Sequence, residues 1–266
     1  MHAASREALA AVRERVASLS DAGVEVGGEL FAVVAMLDAE RTLRRTLADG
    51  STDPDARAEL LSAVLKGKIS DEALGVAVKA VEQQWSAPVD LVDALELLGR
   101  EIVLQRAQKD ARLDAVEDEL FRLGRIVEGS PALEQTLGDR TADTGRKREL
   151  MSTLLAGKTT ESTAVLVDQL VSRQREGLAS GLDALASLAA VQREKSVAQV
   201  RSAVALSAEQ SERLAASLSR TYGREVTVHV EVDPDLRGGL VIQVDDEVID
   251  GSIAGRLDAL RRKLAS

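Results

Sequence analysis

The chain has no cysteine, and only Phe31, Trp85, Phe121 and Tyr222 of its 266 residues are aromatic. The first absence excludes disulfides, thiolate catalysis and Cys-based zinc or iron–sulfur sites, and it is compatible with a reducing compartment. The second leaves the cores to Leu, Val, Ala and Ile, which suits closely packed helices better than a β-sandwich or a ring-lined ligand pocket. Long apolar runs are also missing. The best, Leu30 to Leu37, falls far short of the roughly 20 residues that span a bilayer, and the N-terminus mixes Arg6, Glu7, Arg13, Glu14 and Arg15 where a secretory signal has a continuous apolar stretch. Clustered positive charge does not dominate either: a net charge of −10 argues against a nucleic-acid binder. The chain therefore reads as soluble and intracellular, and at this length it can bury two or three domain cores.

What is present is a repeat. Glu29 to Lys68 aligns without a gap on Glu119 to Lys158 at an offset of 90, with 14 identities in 40 positions. Glu29-Leu30-Phe31 matches Glu119-Leu120-Phe121, Thr46-Leu47 matches Thr136-Leu137, and Gly67-Lys68 matches Gly157-Lys158; Asp93-Ala94-Leu95 extends the match onto Asp183-Ala184-Leu185. The period is too long for a solenoid unit, so the simpler reading is a duplicated helical domain. In the first copy helices are expected over Arg6–Leu19, Val26–Asp38, Thr42–Leu47, Pro54–Leu65, Asp71–Trp85 and Val89 to about Gln108. Asp53 is an N-cap followed by Pro54 at N1, Gly67 stands at a C′ position, and Ser70 caps the next helix. Thr141 or Asp143, Gly157 and Thr160 repeat those signals. Between Pro88 and about Val127 the only breakers are Gly99 and Gly124, which predicts one long helix shared by the copies.

The last quarter changes character. Ser207 to Gln210 has capping-box spacing, and Leu214, Leu218 and Tyr222 follow on one helical face up to Gly223. Val226, Val228, Val230 and Val232 then alternate with Glu225, Thr227, His229 and Glu231, the pattern of a half-buried strand. Asp233-Pro234 turns the chain, Gly238-Gly239 leads into a second strand from Leu240 to Val244, and Asp245-Asp246 marks another turn. Asp250 or Ser252 can cap a final helix with Ile253, Leu257, Leu260 and Leu264 on one face and Arg261, Arg262 and Lys263 in its last turn. The fold class is mainly α with a small α+β C-terminal unit. Two tandem antiparallel helical bundles, 1–110 and 111–204, precede a helix-strand-strand-helix unit, 205–266.

Asp233, Gly238-Gly239-Leu240 and Asp250-Gly251-Ser252, in that order after a long helical region, make the chain resemble the delta subunit of the F-type ATP synthase, the bacterial counterpart of the mitochondrial oligomycin-sensitivity-conferring protein. That family normally has one helical domain; some actinobacterial members carry an extra copy, and no membrane anchor of a fused stalk subunit is seen in this sequence. The resemblance implies a non-catalytic peripheral-stalk, or stator, subunit on the cytoplasmic side of the cell membrane. Its helical domain would hold N-terminal helices of the head's alpha subunits in grooves, and its C-terminal unit would bind the b-type stalk subunit, so that rotation stays coupled to ATP synthesis and proton transport. It implies no cofactor, no metal and no catalytic residue. A generic helical adaptor for amphipathic partner helices is the alternative, and an enzyme using the many carboxylates is the third reading.

Other motifs have plain explanations. Gly157-Lys158-Thr159 lacks the earlier glycine of a phosphate-binding loop, having Ser152 instead, and follows a helix rather than a strand. His2 lies near the terminus and His229 on the polar face of a strand. Asp233, Asp245, Asp246 and Asp250 sit at turns and caps without EF-hand spacing. Trp85 either plugs the first bundle or anchors a partner; the basic stretches Arg41–Arg45 and Arg146–Arg148 read as solvated helix faces.

Overall fold

The computed structural model describes residues 2–19, 22–139, 142–173, 177–194, 196–222, 226–233, 236, 238–244 and 247–252. The chain divides into two compact units, Met1–Gln192 and Arg193–Ser266.

Eleven helices build the first unit: α1 (Ala3–Ala17), α2 (Val24–Ala39), α3 (Arg41–Leu47), α4 (Pro54–Leu65), α5 (Asp71–Glu82), α6 (Pro88–Lys109), α7 (Leu113–Glu128), α8 (Pro131–Gly138), α9 (Thr144–Leu155), α10 (Glu161–Ser172) and α11 (Leu178–Glu194). The repeat is visible in their caps. Asp53 accepts the Asp55 N–H at the start of α4, and Asp143 accepts that of Arg146 at the start of α9. Ser70 and Thr160 cap α5 and α10 through the N–H groups of Ala73 and Thr163. Gly67 and Gly157 hold φ of 77° and 69° just beyond α4 and α9, the left-handed C′ conformation that ends a helix. The Gly-Lys-Thr sequence is thus a helix terminus. Each copy also ties its second helix to the start of its fifth: the Glu29 carboxylate accepts the backbone N–H and hydroxyl of Ser70, and Glu119 does the same for Thr160.

Helix α6 belongs to both copies. Its Leu91, Val92, Leu95, Leu98 and Ile102 lie in the first core, with Val12, Leu30, Leu61, Val76 and Trp85. Its Val103, Leu104 and Ala107 lie in the second, with Leu120, Leu155, Leu166, Leu182 and Leu185. A helix with both faces buried needs apolar residues all round rather than one stripe. Against it, α2 approaches at two glycines: a Cβ on Gly27 would lie 2.5 Å from Val103 Cγ2 and 2.8 Å from the Gly99 carbonyl, and one on Gly99 would lie 2.6 Å from Phe31. Trp85 is 8 % exposed and donates its indole N–H to the Ala80 carbonyl, so it is a core plug. Its helix ends at Glu82, three residues before it.

The single long helix expected from Pro88 to Val127 is in fact two. The Arg112 N–H bonds to the Ala107 carbonyl and the Ala111 N–H to that of Gln108, the Schellman arrangement that closes a helix. Ala111 takes the C′ place with φ 53°, the one non-glycine residue with positive φ among those described. No glycine marks the break, which is why the sequence conceals it.

The second unit carries more β structure than the order helix-strand-strand-helix provides. Its elements are β1 (Ser196–Ser202), α12 (Ala208–Tyr222), β2 (Val226–Val232), β3 (Leu240–Val244) and β4 (Glu247–Asp250), in a four-stranded sheet of order β2-β1-β3-β4. Strands β1 and β2 run parallel, joined by α12 as a crossover, while β3 and β4 are antiparallel additions. The capping box at Ser207 and Gln210 is reciprocal. Val200, Leu218 and Val226 are buried, with Leu214, Val228, Val230, Leu240 and Ile242 packed around them. Val232, assigned to the buried face by alternation, is 49 % exposed at the strand end. The final helix expected from Ile253, like Gly223, Asp245 and Asp246, lies outside the described residues.

Because Ala111 bears a left-handed strain of about 1–2 kcal/mol, Ala111→Gly is expected to stabilise the chain by about 0.5–1 kcal/mol. In an unbroken helix the same change would cost about 1 kcal/mol, so the sign of the shift in urea midpoint checks the helix break.

Candidate functional site

The residues of the C-terminal signature meet at one end of the sheet, around the last residue of β1. Ser202 stands between Val232 of β2 and Leu240 of β3 in the ladder, and its carbonyl accepts the Asp233 N–H at 2.8 Å. The Asp233 carboxylate faces Arg201 Nη1 at 3.5 Å, and the Asp233 carbonyl accepts the Leu236 N–H, which closes the turn. Gly238 and Gly239 have φ of 108° and 85°. A Cβ on Gly239 would lie 2.5 Å from the Gly251 carbonyl oxygen and 2.8 Å from Ser252 Cα, so this glycine serves both the backbone turn and the close approach of the chain after β4. The Gly251 N–H returns to the Leu240 carbonyl at 2.9 Å, Asp250 pairs with Val241, and Ser252 is buried. Backbone contacts among these residues build a corner. Among the described residues, no group of three or more His, Cys, Asp or Glu is placed to hold a metal ion, and no helix is long and apolar enough to cross a membrane.

The surface with demonstrable gripping chemistry lies in the first unit, where the copies meet. Helix α2 lies along α6 and α10, and Phe31 packs against the second core. At the far end of α2, Arg173 enters a ring of three carboxylates from the first copy. Its guanidinium bonds to Asp38 and Glu96, and Nη2 reaches Asp93 at 3.1 Å. Arg44 holds Asp38 at 3.1 Å, Arg100 holds Glu96 at 2.6 Å, and Gln169 bridges Arg100 to Glu96. Three cations thus balance three anions. Burial by itself would lower the pKa of Arg173, but the bond to Asp38 and the attraction of Glu96, Asp38 and Asp93 raise it. Sequence reading did not find this clasp. Its signal is a mismatch between the copies, since Arg173 aligns with Gln83.

The comparisons with known proteins agree with the signature. A family model described as ATP synthase delta (OSCP) subunit matches residues 102–264. The ATP synthase subunit delta of Rhodococcus opacus is 52% identical over 99% of each chain, and that of Nocardia farcinica is 51% identical over the whole of both. The chain belongs to the ATP synthase delta (OSCP) subunit family. The family match begins near the end of α6 and takes in the second copy and the C-terminal unit, whereas the Rhodococcus and Nocardia relatives match across the first copy too. A chain from the mitochondrial ATP synthase hexamer of Toxoplasma gondii is 20% identical, covering 63% of this chain and 95% of its own, with a TM-score of 0.27 that carries no argument.

Gly239→Ala is expected to destabilise the C-terminal unit by about 2–3 kcal/mol through strain and overlap, read as faster hydrogen exchange in β1–β4. Gly28→Ala, with nothing near its Cβ position on α2, is the neutral or stabilising control. Arg173→Ala leaves three carboxylates short of a cation and is expected to cost about 2–4 kcal/mol in urea unfolding. Arg148→Ala, which removes a half-exposed pair with Asp168, is expected to cost less than about 1 kcal/mol.

Proposed function

We propose that the chain is a non-catalytic peripheral-stalk subunit of an F-type proton-translocating ATP synthase, on the cytoplasmic face of the cell membrane. The helical unit holds N-terminal helices of the head's alpha subunits, the C-terminal unit holds the end of the b-type stalk subunit, and the first copy lengthens or reinforces that tether. Family membership supports the complex. The seat of α2 on α6 and α10 is the observation that supports the mode, because there the scaffold holds a largely apolar helix by close packing and a charge clasp.

The repeat also suggests where a foreign helix enters. Shifted back by 90 residues, Glu96, Arg100 and Gln169 become Arg6, Ala10 and Lys79, which places the matching groove between α1 and α5. Ala3, Arg6 and Ala10 are exposed there, and Lys79 and Gln83 are half-buried. Arg6 stands where the junction has Glu96, and Lys79, 3.4 Å from Glu82, stands where it has the neutral Gln169, so the groove suits a helix with acidic side chains.

Titration of the full chain with an alpha-subunit N-terminal peptide, followed calorimetrically, should show saturable binding that Ala10→Asp or Arg6→Glu weakens by about tenfold. The end of the b-type subunit should bind with an affinity those substitutions leave unchanged. Absence of binding to both peptides, or turnover of nucleotide by the purified chain, would overturn the reading.

A further inference from the structure

The junction between the copies has an unfilled image at the other end of the unit, and we infer that this second face, on α7 and α11, is a docking site for a basic amphipathic helix from another subunit. This second site lies beyond the stator reading and follows from the repeat. In the first copy α2 offers Phe31 and Asp38, and α6 offers Asp93; α10 packs along α2 and α6, Phe31 lies against the second core, and Arg173 stands between the carboxylates. Ninety residues on, the same places hold Phe121, Glu128 and Asp183. Here the ring has only Arg125 of its own helix over it, and Phe121 is 54 % exposed.

The carboxylates at this end are held by a substitute. Arg125 lies 2.9 Å from Glu128 and 3.6 Å from Asp183, with its guanidinium 5.3 Å from the Phe121 ring centre. Its counterpart in the first copy is Ala35. A cation from outside occupies the pair at the junction; a half-exposed cation from the same helix occupies it at the free end. The face therefore fits a helix that sets apolar side chains on Phe121 and brings a guanidinium to Glu128 and Asp183, as α10 brings Arg173 to Asp38 and Asp93.

A second copy of this chain is a poor occupant. Head-to-tail stacking would place α5 on the face, and α5 and its flank carry Val76, Ala80 and Gln83 where α10 and its flank carry Leu166, Leu170 and Arg173. The apolar side chains are smaller and the charge is missing, which disfavours an open filament. A different subunit is left as the occupant.

The probe is a helix-stapled, fluorescently labelled peptide with the sequence of Glu161–Arg173, titrated into the full chain and followed by anisotropy. Phe121→Asp should weaken binding by about tenfold, and Arg125→Ala, which recreates the first copy's Ala35, should tighten it. A peptide bearing Arg173→Glu should lose about tenfold and recover it on a chain bearing Asp183→Lys. Phe121 and Arg125 are exposed and Asp183 is half-buried, and unchanged circular dichroism confirms folding of each variant. No saturable binding, binding indifferent to Phe121→Asp and Asp183→Lys, or a concentration-dependent dimer that Phe121→Asp dissolves would each overturn the assignment. Alpha-peptide binding between α1 and α5 should be the same in every variant, so failure here is distinguishable from failure of the stator reading.

Discussion

Everything in the helical unit depends on α6 having no free side. One segment of 22 residues closes the first bundle and opens the second, so neither core is complete without it. A duplication of this kind differs from two domains on a linker, where motion between the bodies is the default. Here a hinge at the junction would have to expose Val103, Leu104 and Phe31 and part Arg173 from three carboxylates, losing apolar burial and charge pairing together. The close approach at Gly27 and Gly99 adds a steric condition, since any larger side chain at either place pushes α2 and α6 apart. Stiffness follows from geometry rather than from an exceptional interaction.

Much of this was legible. Asp53-Pro54, Ser70, Thr160 and the two Gly-Lys ends are local chemistry, readable because a cap acts within three or four residues. The offset of 90 predicted a second bundle with the same stops, and the structure repeats even the carboxylate-to-cap bond. The failures are nonlocal. Strand β1 is an interior strand of its sheet, and Ser-Val-Ala-Gln-Val-Arg-Ser follows a helix without glycine or proline to announce it. An interior strand paired on both sides need not alternate as an edge strand does. Strand β4 has only four residues, too short for periodicity to speak. Ala111 holds a conformation for which glycine is the usual sign. The signature glycines could be read as turn residues, but only the fold shows that Gly239 is needed because Gly251 passes 2.5 Å from where its Cβ would be.

The clasp was the harder case, and it shows what an internal repeat can reveal. Identity at equivalent positions reports the shared fold, as with Glu29 and Glu119. Difference at equivalent positions reports the neighbours that the copies do not share. Gln83 against Arg173, Arg6 against Glu96 and Ala35 against Arg125 are all changes of charge, and all fall where one copy meets the other or would meet a third. Such positions cannot be symmetric. A duplicated body has one internal junction and two free ends, and each end must differ from the junction or the chain would add further copies of itself.

That asymmetry bears on how a scaffold of packed helices can be specific. Joints made of Leu, Val and Ala alone would accept many helices. Charges at the edges of apolar seats solve the selection problem at small energetic gain, because a mismatched pair left without its counter-ion is penalised far more than a matched one is rewarded. At the junction three carboxylates are matched by three guanidiniums in a closed network. The α1–α5 end instead presents Arg6 and Lys79, the latter beside Glu82, and the α7–α11 end presents Glu128 and Asp183 under a half-exposed Arg125. On the proposed reading, this difference in charge at the two ends of one apolar scaffold would let it tell two helical partners apart without any change of shape.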